Sequence, residues 1–423
     1  MDRREFLYGT VSGSVFGLSG CLRLTEESTP TASGTQEQPS REGEIGTERD
    51  TETPEEGTEG GSETPEEGTE EPPENPDVES LFTVEWEDSE SILSPLRLHG
   101  DYLYGEVFGI EKLDPSTGKV EWQVEPDHSR EDNGISNLVP TETAICVLES
   151  AYPNQDPPEA GRIFALDPAT GEEMWYFEGD YTTWLNSSAF DASDQYVAFA
   201  EDDETTYTTR IFNIETGDVV IERNSEKYVN QLIIQDDELI IIGEDIRILD
   251  IESDSITAQT DLPSSAALVT NDGIYTGQNN VHKLSNPGLE TEWTASIAGD
   301  IQANPTIASE SGVLIGGSGG VHSLDRETGE INWEYRTAAE VNEIRGGMVV
   351  VNGLAFLWDN SGYFVILNAK TGESYFDQRQ KDNGAAPSGL AASDSTLYVA
   401  CDTDMDTTIP RGTAALNITQ DYN

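Results

Sequence analysis

The sequence is poor in basic residues, in cysteine and in long apolar runs. Of its 423 residues only 22 are lysine or arginine, against 82 aspartate and glutamate, which gives a net charge of −60. A protein that binds nucleic acid through its phosphates needs a basic surface, which this composition cannot form. The three cysteines are too few for a disulfide scaffold, and a C-x-x-C-H haem attachment motif is missing. We therefore expect a core held together by ordinary hydrophobic packing.

The acidic residues fall in two regions of different character. Residues 22–80 contain 19 acidic and 3 basic residues, whereas residues 81–423 contain 61 and 17, a net charge of −44. A folded domain with that charge repels itself in dilute salt and needs counterions. Lysine is scarcer than arginine in the domain, six against eleven, and the whole pattern resembles proteins of extreme halophiles. We interpret most acidic runs as solvated surface.

The N-terminus carries two sorting signals. Arg3 and Arg4 are followed by Phe-Leu, then by a weakly apolar stretch, and then by Leu-Ser-Gly-Cys ending at Cys21. The first pattern resembles a twin-arginine export signal, and the second resembles a lipobox whose cysteine is lipidated. Since no segment has about 18 consecutive apolar residues, we expect no transmembrane helix. Residues 1–21 therefore predict an exported protein, anchored by a lipid on Cys21 to the outer face of the cell membrane.

A low-complexity segment follows the predicted anchor. Residues 22–80 consist largely of Thr, Glu, Pro, Gly and Ser, and the sequence ETPEEGTE that begins at Glu52 recurs at Glu63. This composition cannot bury enough apolar surface to offset the entropy of ordering the chain. We predict a disordered acidic stalk.

From Leu81 onwards one short pattern recurs: a strand ending in Leu-Asp, a Thr-Gly turn, and a tryptophan. Three copies are clear, at Leu113–Trp122, Leu166–Trp175 and Leu324–Trp333, and weaker copies start at Phe212, Leu249, Leu284, Leu367 and Leu416. The leading residues, called anchors below, are 35 to 53 residues apart. A period near 40 residues with four short strands in each unit is typical of a β-propeller.

Eight anchors predict an all-β, eight-bladed propeller over residues 81–423, with seven blades as the alternative. The last anchor, Leu416, lies too close to the C-terminus for a tryptophan strand to follow it. The strand Phe82–Glu87 has the right alternation and no Leu-Asp before it. We expect this strand to pair with the last strands of the chain and close the ring.

The recurring residues suit structural roles. The Asp or Asn after the anchor can accept backbone N–H bonds in the turn, the glycine supplies a positive φ, and the tryptophan packs between adjacent sheets. We assign these roles, and no catalysis, to Trp86, Asp114, Gly118, Trp122, Asp167, Gly171, Trp175, Trp293, Asp325, Gly329 and Trp333.

The form Leu-Asp-x-x-Thr-Gly-x-x-x-Trp resembles the repeat of pyrroloquinoline-quinone-type propellers. This family includes quinoprotein alcohol dehydrogenases and the non-enzymatic BamB-type assembly lipoprotein, and the resemblance covers residues 81–423. For the enzymes it implies a quinone, a Ca²⁺ held by Glu, Asn and Asp, a catalytic Asp base, and often a disulfide between adjacent cysteines. Here Cys146 and Cys401 fall in equivalent strands of blades two and eight, so we expect separate buried thiols. The resemblance predicts the fold better than the function.

Two groups of residues resemble metal ligands without completing a site. His282 and His322 each stand two residues before an anchor in neighbouring repeats. Packed sheets lie about 10 Å apart, so we expect that the two rings share no ion and point outward. The carboxylates of Asp402–Asp406 alternate as in a calcium loop, but the glycine and the closing glutamate of that loop are missing, and Thr413 stands in the glutamate's place. We interpret this segment as an acidic hairpin loop and predict no metal site.

Function is predicted at the mouth of the central channel, where propellers bind ligands on loops and inner strands. The segments after each tryptophan position supply candidate binding residues there: Trp184, Asn186, Asn230, Asn304, Glu343 and Arg345. No G-x-S-x-G, Walker or HExxH motif is present, and we predict neither a catalytic residue nor a cofactor.

The interpretation we favour is a non-catalytic, membrane-anchored scaffold or ligand-binding module with a protein or surface-ligand partner and no nucleic acid. The alternatives are a dehydrogenase that depends on pyrroloquinoline quinone and calcium, and a passive surface component. Asn186 and Asn417 begin N-glycosylation sequons, which suit an exported protein.

Overall fold

The computed structural model describes residues 80–89, 93, 95–107, 109–125, 135–149, 161–179, 184–202, 206–301, 305–307, 309, 312–318, 320–336, 347–358, 363–379, 389–393, 395–401, 411–419 and 422. Arg3, Arg4, Cys21 and residues 22–79 lie outside these ranges, so the export signal, the lipid anchor and the stalk stay predictions. The same holds for the predicted hairpin loop, Asp402–Asp406, which also lies outside. Within the described ranges, no helix is long and apolar enough to cross a membrane.

The described chain forms 32 β-strands in eight four-stranded antiparallel sheets, or blades. The strands of blades one to four are β2 (Arg97–His99), β3 (Tyr102–Glu106), β4 (Ile110–Asp114) and β5 (Lys119–Val124); β6 (Ile135–Pro140), β7 (Ile145–Glu149), β8 (Arg162–Leu166) and β9 (Glu173–Glu178); β10 (Trp184–Ala192), β11 (Tyr196–Asp202), β12 (Tyr207–Asn213) and β13 (Val219–Ser225); and β14 (Val229–Gln235), β15 (Glu238–Gly243), β16 (Ile246–Asp250) and β17 (Ser255–Thr260).

The second half of the ring repeats the arrangement. Its strands are β18 (Ala266–Thr270), β19 (Gly273–Gly277), β20 (Asn280–Leu284) and β21 (Thr291–Ser296); β22 (Thr306–Ile307), β23 (Gly312–Gly317), β24 (Gly320–Asp325) and β25 (Ile331–Tyr335); β26 (Gly347–Val351), β27 (Leu354–Trp358), β28 (Tyr363–Asn368) and β29 (Ser374–Arg379); and β30 (Gly389–Ala392), β31 (Thr396–Cys401) and β32 (Gly412–Ile418), which are joined in blade eight by β1 (Phe82–Asp88).

The blades are arranged in a ring, with the first strand of each blade innermost. Strand β2 contacts both β6 and β30, β10 contacts β6 and β14, and β26 contacts β22 and β30. Eight buried apolar clusters fill the eight interfaces between neighbouring blades, the last of them between blades eight and one. The predicted eight-bladed propeller is therefore confirmed, and the seven-bladed alternative is excluded.

The N-terminal strand closes the ring as predicted. Strand β1 pairs antiparallel with β32, from Phe82 opposite Ile418 to Asp88 opposite Thr413, with an irregularity between Val84 and Trp86. It becomes the outermost strand of blade eight, whose other three strands come from the C-terminus. The two ends of the domain are thus held together by one sheet.

In the part of the chain that the structure describes, tryptophans link neighbouring blades at five of the eight interfaces. Each lies in an outermost strand, and its indole Nε1–H donates to a backbone carbonyl in the Leu-Asp turn of the following blade. The bonds run from Trp86 to Pro115 (2.7 Å), from Trp122 to Pro168 (3.3 Å), from Trp175 to Ile214 (2.6 Å), from Trp293 to Arg326 (3.1 Å) and from Trp333 to Ala369 (3.3 Å).

In each of these five turns a glycine makes room for the indole ring. A Cβ atom added at Gly217 would lie 2.7 Å from the Trp175 ring, and Gly217 also has a φ of 71°. Only glycine adopts that φ without strain and allows so close an approach. The aspartate at the start of the turn binds backbone N–H groups. In blade six, for example, Asp325 Oδ1 accepts the N–H groups of Glu327 (3.0 Å) and Thr328 (2.8 Å). These hydrogen bonds, chiefly those from Thr328, lower the pKa of Asp325.

We expect Trp175→Ala to lower the free energy of unfolding by about 3–5 kcal/mol, because it removes a large half-buried side chain together with its inter-blade hydrogen bond. Trp175→Phe keeps the ring and loses only the bond to Ile214, so its cost should be near 1 kcal/mol. Urea unfolding of both variants measures the difference. Tyr176→Ala is the control, because Tyr176 is the next residue on the same strand and its side chain is 47% exposed. A loss for Tyr176→Ala as large as that for Trp175→Ala would contradict the inter-blade role.

The two cysteines of the propeller behave as expected. Cys146 on β7 and Cys401 on β31 are fully buried thiols, and neither is in a disulfide. Burial raises the pKa of the Cys146 thiol. They pack in different inter-blade clusters, Cys146 between blades two and three and Cys401 between blades seven and eight.

Candidate functional site

The candidate site is the central channel, which the eight innermost strands surround. In each blade the anchor lies on the third strand and pairs with a residue of the second strand. The residue that follows this partner on the second strand pairs with a residue of the innermost strand. In blade one, for example, Leu113 pairs with Leu103, and Tyr104 pairs with Arg97. The inner-strand residues at this level, which we call the waist ring, are Arg97, Val139, Asp191, Ile233, Leu268, Thr306, Val349 and Ala391.

Polar side chains of the inner strands bond to the next blade around the channel. The guanidinium of Arg97 donates through Nη2 to Asn137 Oδ1 at 3.1 Å. The carboxylate of Asp191 accepts the backbone N–H of Ile234 at 2.7 Å. The amide oxygen of Gln231 accepts from the backbone of Ala267 at 2.8 Å. These bonds tie neighbouring inner strands together and hold the side chains in place.

A cavity of about 340 Å³ opens on one side of the channel. The inner strands of blades three, four and five line it together with Pro305. Asp191 and Gln231 are its polar side chains, and the rest of the lining is apolar. Its volume falls in the range of small-molecule sites, about 300–1,000 Å³.

The predicted binding residues have mixed positions. Trp184 and Asn186 lie on β10, the innermost strand of blade three, where the backbone of Trp184 pairs with Asp202. Their side chains lie outside the described residues, as do Asn304, Glu343 and Arg345 entirely. Asn230 is 8% exposed, and its amide donates to the carbonyl of Ser264 at 2.7 Å, which ties blade four to the segment that leads into blade five.

Sequence reasoning did not single out the charged residues of the waist ring, Arg97 and Asp191, or Gln231 of the cavity. The available signal was a charged residue inside an apolar stretch, as in Leu96-Arg97-Leu98. The level of each residue in the channel depends on strand register, which the sequence does not display.

Two carboxylates lie where blades one and two meet, at the channel end where the inner strands begin. Glu106, at the end of β3, accepts the backbone N–H of Ile135 at 3.2 Å. Burial raises the pKa of Glu106 to about 7; the hydrogen bond from Ile135 opposes the shift, and the charge of Glu149 adds to it. Glu149 itself is 1% exposed. The carboxyl of Glu106 can therefore exchange a proton near neutral pH.

The expectation that both histidines point outward is wrong for His322. Its side chain is 1% exposed, and neither ring nitrogen has a hydrogen-bond partner among the described residues. The cause is that His322 shares a face of β24 with Leu324, which packs against blade five. His282 is less buried, and its Nδ1 lies 3.0 Å from Thr294 Oγ1.

The two histidines belong to different interfaces, because each lies on the face of its blade that meets the preceding blade. The sheet of blade five therefore lies between them. Among the described residues, no group of three or more His, Cys, Asp or Glu side chains could hold a metal ion.

We expect His322 to make the domain sensitive to acid. Burial lowers the pKa of His322 below its usual value near 6.5, which the unfolded chain retains. The neutral ring is therefore favoured by folding, so stability is complete above pH 6.5 and decreases as the pH falls below it, by up to about 1.4 kcal/mol per pH unit.

The variant His322→Val tests this effect, since Val365 occupies the equivalent position two residues before the anchor of blade seven. Melting temperatures of both proteins between pH 7.5 and pH 5 give the comparison. The difference in melting temperature between the two proteins at each pH isolates the effect of the histidine. Carboxyl groups such as Glu106 are present in both proteins, and the raised pKa of Glu106 increases stability as the pH falls. Parallel curves for the two proteins would contradict the prediction.

The two sequons lie on the inner strand β10 and on β32, the strand that pairs with β1. Asn417 lies in β32, which is paired on one side with β1 and on the other with β31. Its side-chain amide donates to Glu85 Oε1 at 3.0 Å. A glycan on Asn417 would have to replace that bond. The side chain of Asn186 lies outside the described residues.

The described residues supply no cluster of three or more His, Cys, Asp or Glu that would hold the calcium ion of the quinone site that the family resemblance implies. That site needs a calcium ion held by several acidic and amide side chains. Cys146 and Cys401 cannot form a disulfide across two blades, because their strands β7 and β31 are separated by blade one. We therefore derive no chemical step through a quinone.

Comparisons with known proteins agree with the fold. Residues 277–419 match the model of a family described as outer membrane protein assembly factor BamB. The crystal structure of BamB from Moraxella catarrhalis is similar, with a TM-score of 0.57 and 16% identity over 79% of this chain and 99% of that one.

Two further solved structures are similar. The computationally designed protein Ika8 gives a TM-score of 0.59 with 13% identity over 80% of this chain and 99% of that one. Quinohemoprotein alcohol dehydrogenase from Comamonas testosteroni gives 0.57 with 11% identity over 80% and 77%. A search of curated proteins gave no match. With the eight-bladed ring, these findings show the β-propeller fold, and residues 277–419 are similar to the BamB family.

Proposed function

We propose that the protein is a non-catalytic scaffold that holds a protein partner at the outer face of a membrane. The observation that carries this proposal is the match of residues 277–419 to a family named for outer membrane protein assembly. A role of that kind needs a rigid surface and no chemistry.

The local structure supports a scaffold. The tryptophans and glycines of the repeat serve the links between blades, as the bonds from Trp86 to Pro115 and from Trp293 to Arg326 show, and the aspartates hold the turns that these links meet. What differs from blade to blade is the channel end where the inner strands begin, which carries the connections between blades. We place the partner surface there, because loops on a rigid frame are where binding residues concentrate.

The experiment is site-specific photo-crosslinking in intact cells. A photoreactive amino acid at Asn186 or Arg345, which the sequence places in this region, should give an adduct with one protein. The same amino acid at Met174, an exposed residue of the outer strand β9, is the matched control and should give none. Adducts equal at all positions, or none at any, would contradict the scaffold, and the second result would favour a passive surface component.

We also propose that a lipid on Cys21 provides the anchor. Replacing Cys21 with Ser removes the only thiol in the predicted lipobox, so the protein should appear in the medium instead of the membrane fraction. Western blots of cell membranes and medium measure the distribution. Unchanged membrane association of Cys21→Ser would contradict lipid anchoring. Arg3→Lys with Arg4→Lys is the companion variant and should keep the protein inside the cell.

A second candidate is a dehydrogenase that uses pyrroloquinoline quinone, which the similarity to a quinohemoprotein alcohol dehydrogenase favours. Titration of the purified protein with the quinone and Ca²⁺ tests it, with the melting temperature as the readout. We expect no shift. A saturable shift that requires Ca²⁺ would replace the scaffold proposal with the enzyme.

A further inference from the structure

Two opposite charges lie on the waist ring, on blades one and three. Arg97 and Asp191 are its charged members, and apart from Thr306 the other members are aliphatic. A charge taken out of water is costly unless another charge or several hydrogen bonds compensate for it. The partners of these two residues therefore decide what the channel can bind.

Arg97 has only neutral partners among the described residues. Its Nη1 donates to the carbonyl of Leu96 at 3.0 Å and its Nη2 to Asn137 Oδ1 at 3.1 Å. No described carboxylate lies within ion-pair distance of it, and burial lowers the pKa of Arg97. An arginine without a carboxylate partner is unusual in so acidic a domain. Arginines further out in the blades have acidic partners, as Arg223 has Asp254 at 2.7 Å and Arg326 has Asp272 at 2.6 Å.

Asp191 is the counterpart of Arg97 with the opposite sign. One carboxylate oxygen accepts the backbone N–H of Ile234, and within the described ranges no cationic side chain comes within ion-pair distance. Burial raises the pKa of Asp191 to about 6, an effect that its backbone hydrogen bonds only partly oppose. A neutral asparagine would make the same bond to Ile234 without the cost of burying a charge.

The space beside Asp191 suits a small molecule. The cavity of about 340 Å³ is walled by Leu232, Leu268 and Val269, with Gln231 as the further polar group. Asp191 lines this cavity and Arg97 does not. The two charges form no ion pair, and they lean towards different interfaces, Arg97 towards blade two and Asp191 towards blade four. A ligand that meets both must therefore carry its two charges well apart, on an apolar linker.

We propose that the channel waist binds a small zwitterion whose carboxylate meets Arg97 and whose ammonium group meets Asp191. The ligand class is an ω-amino acid or a short peptide with free termini, with its middle against the apolar lining of the cavity. A ligand with a single charge leaves one of the two protein charges uncompensated, and so binds more weakly. This site is separate from the proposed partner surface, and its failure would leave the scaffold proposal standing.

The test is isothermal titration of the full-length protein with glycine, 4-aminobutyrate, 6-aminohexanoate and triglycine. Hexanoate and hexylamine are the singly charged probes matched to 6-aminohexanoate. We expect one of the longer zwitterions to bind at least tenfold more tightly than glycine and than either singly charged probe. Equal affinity for the zwitterion and one of these probes, or no binding of any zwitterion at millimolar concentration, would overturn the proposal.

Two substitutions that keep the local hydrogen bonds locate the site. Asp191→Asn retains an oxygen for the N–H of Ile234, and Arg97→Gln retains a donor for Asn137. Each variant should reduce the affinity for the zwitterion to that of a singly charged probe while leaving the melting temperature within a few degrees of the parent. The matched control is Arg223→Gln, which removes a guanidinium from an outer strand and should bind like the parent. Undiminished binding by both channel variants would overturn the assignment.

Discussion

Deleting residues 81–90 is expected to lower the melting temperature of the propeller by about 10–20 °C or to prevent folding. The deletion removes β1 and with it the side chains of Leu81 and Phe82, which are 0% and 3% exposed in the cluster between blades seven and eight. It also removes Trp86, whose indole bonds to Pro115 of blade one. Loss of one buried leucine, phenylalanine or tryptophan costs about 2–5 kcal/mol. The sum is comparable with the whole stability of a typical domain, about 5–15 kcal/mol.

The closing strand also has a topological effect. Without β1, the strand β32 becomes an exposed edge, and the link from blade eight to blade one loses its tryptophan. A ring held at every interface is more stable than an open array, because each blade then buries both of its faces. The free energy lost should therefore exceed that of any single link between two other blades.

The control for this deletion is the removal of residues 66–75, the same number of residues from the predicted stalk, which should leave the melting temperature unchanged. A second measurement covers the case in which the deletion variant does not fold. Adding a synthetic peptide of residues 80–90 should restore the missing strand and raise the melting temperature in proportion to its occupancy. An unaltered melting curve for the deletion variant would contradict closure by β1, and so would a peptide without effect on a destabilised variant.

The repeat was sufficient to predict the fold because its residues make the same contacts in successive blades. Trp122 and Trp175 each meet a glycine of the following turn, and that contact requires only the residues at fixed spacing within two neighbouring repeats. Blade three shows where the pattern fails. It has Ile221 in the position of the tryptophan, and Arg223 binds Asp254 of the next turn instead. No sequence rule for the repeat would have predicted that substitution.

The channel was harder to predict because its geometry arises from register between strands. Arg97 lies in a three-residue strand, too short to show alternation, and its level relative to Asp191 follows from two separate pairings in two blades. The error on His322 has a related cause. Alternation separates the two faces of a strand, and in most sheets one face is solvated. In a propeller both faces meet a neighbouring blade, so neither face of β24 points outward.

Lowering the salt concentration from about 1 M to about 0.1 M should reduce the melting temperature by on the order of 10 °C. The range over which charges repel one another grows from about 3 Å to about 10 Å in that interval. The domain carries a net charge of −44 and has few bases to offset it. Several of these bases already serve two acids each, as Lys283 does between Asp272 (3.6 Å) and Glu292 (3.1 Å). The remaining carboxylates therefore depend on dissolved cations.

A charge variant tests this explanation directly. Four exposed glutamates follow the Thr-Gly turns or their equivalents in blades two, five, six and seven, and none has an ion-pair partner among the described residues: Glu172, Glu290, Glu330 and Glu373. Because each change to lysine shifts the charge by two, replacing all four brings the domain from −44 to −36. This variant should lose less stability in dilute salt than the parent, whereas the same four changes to aspartate should lose as much. If all three proteins melt alike at both salt concentrations, self-repulsion is not what limits the stability of this propeller.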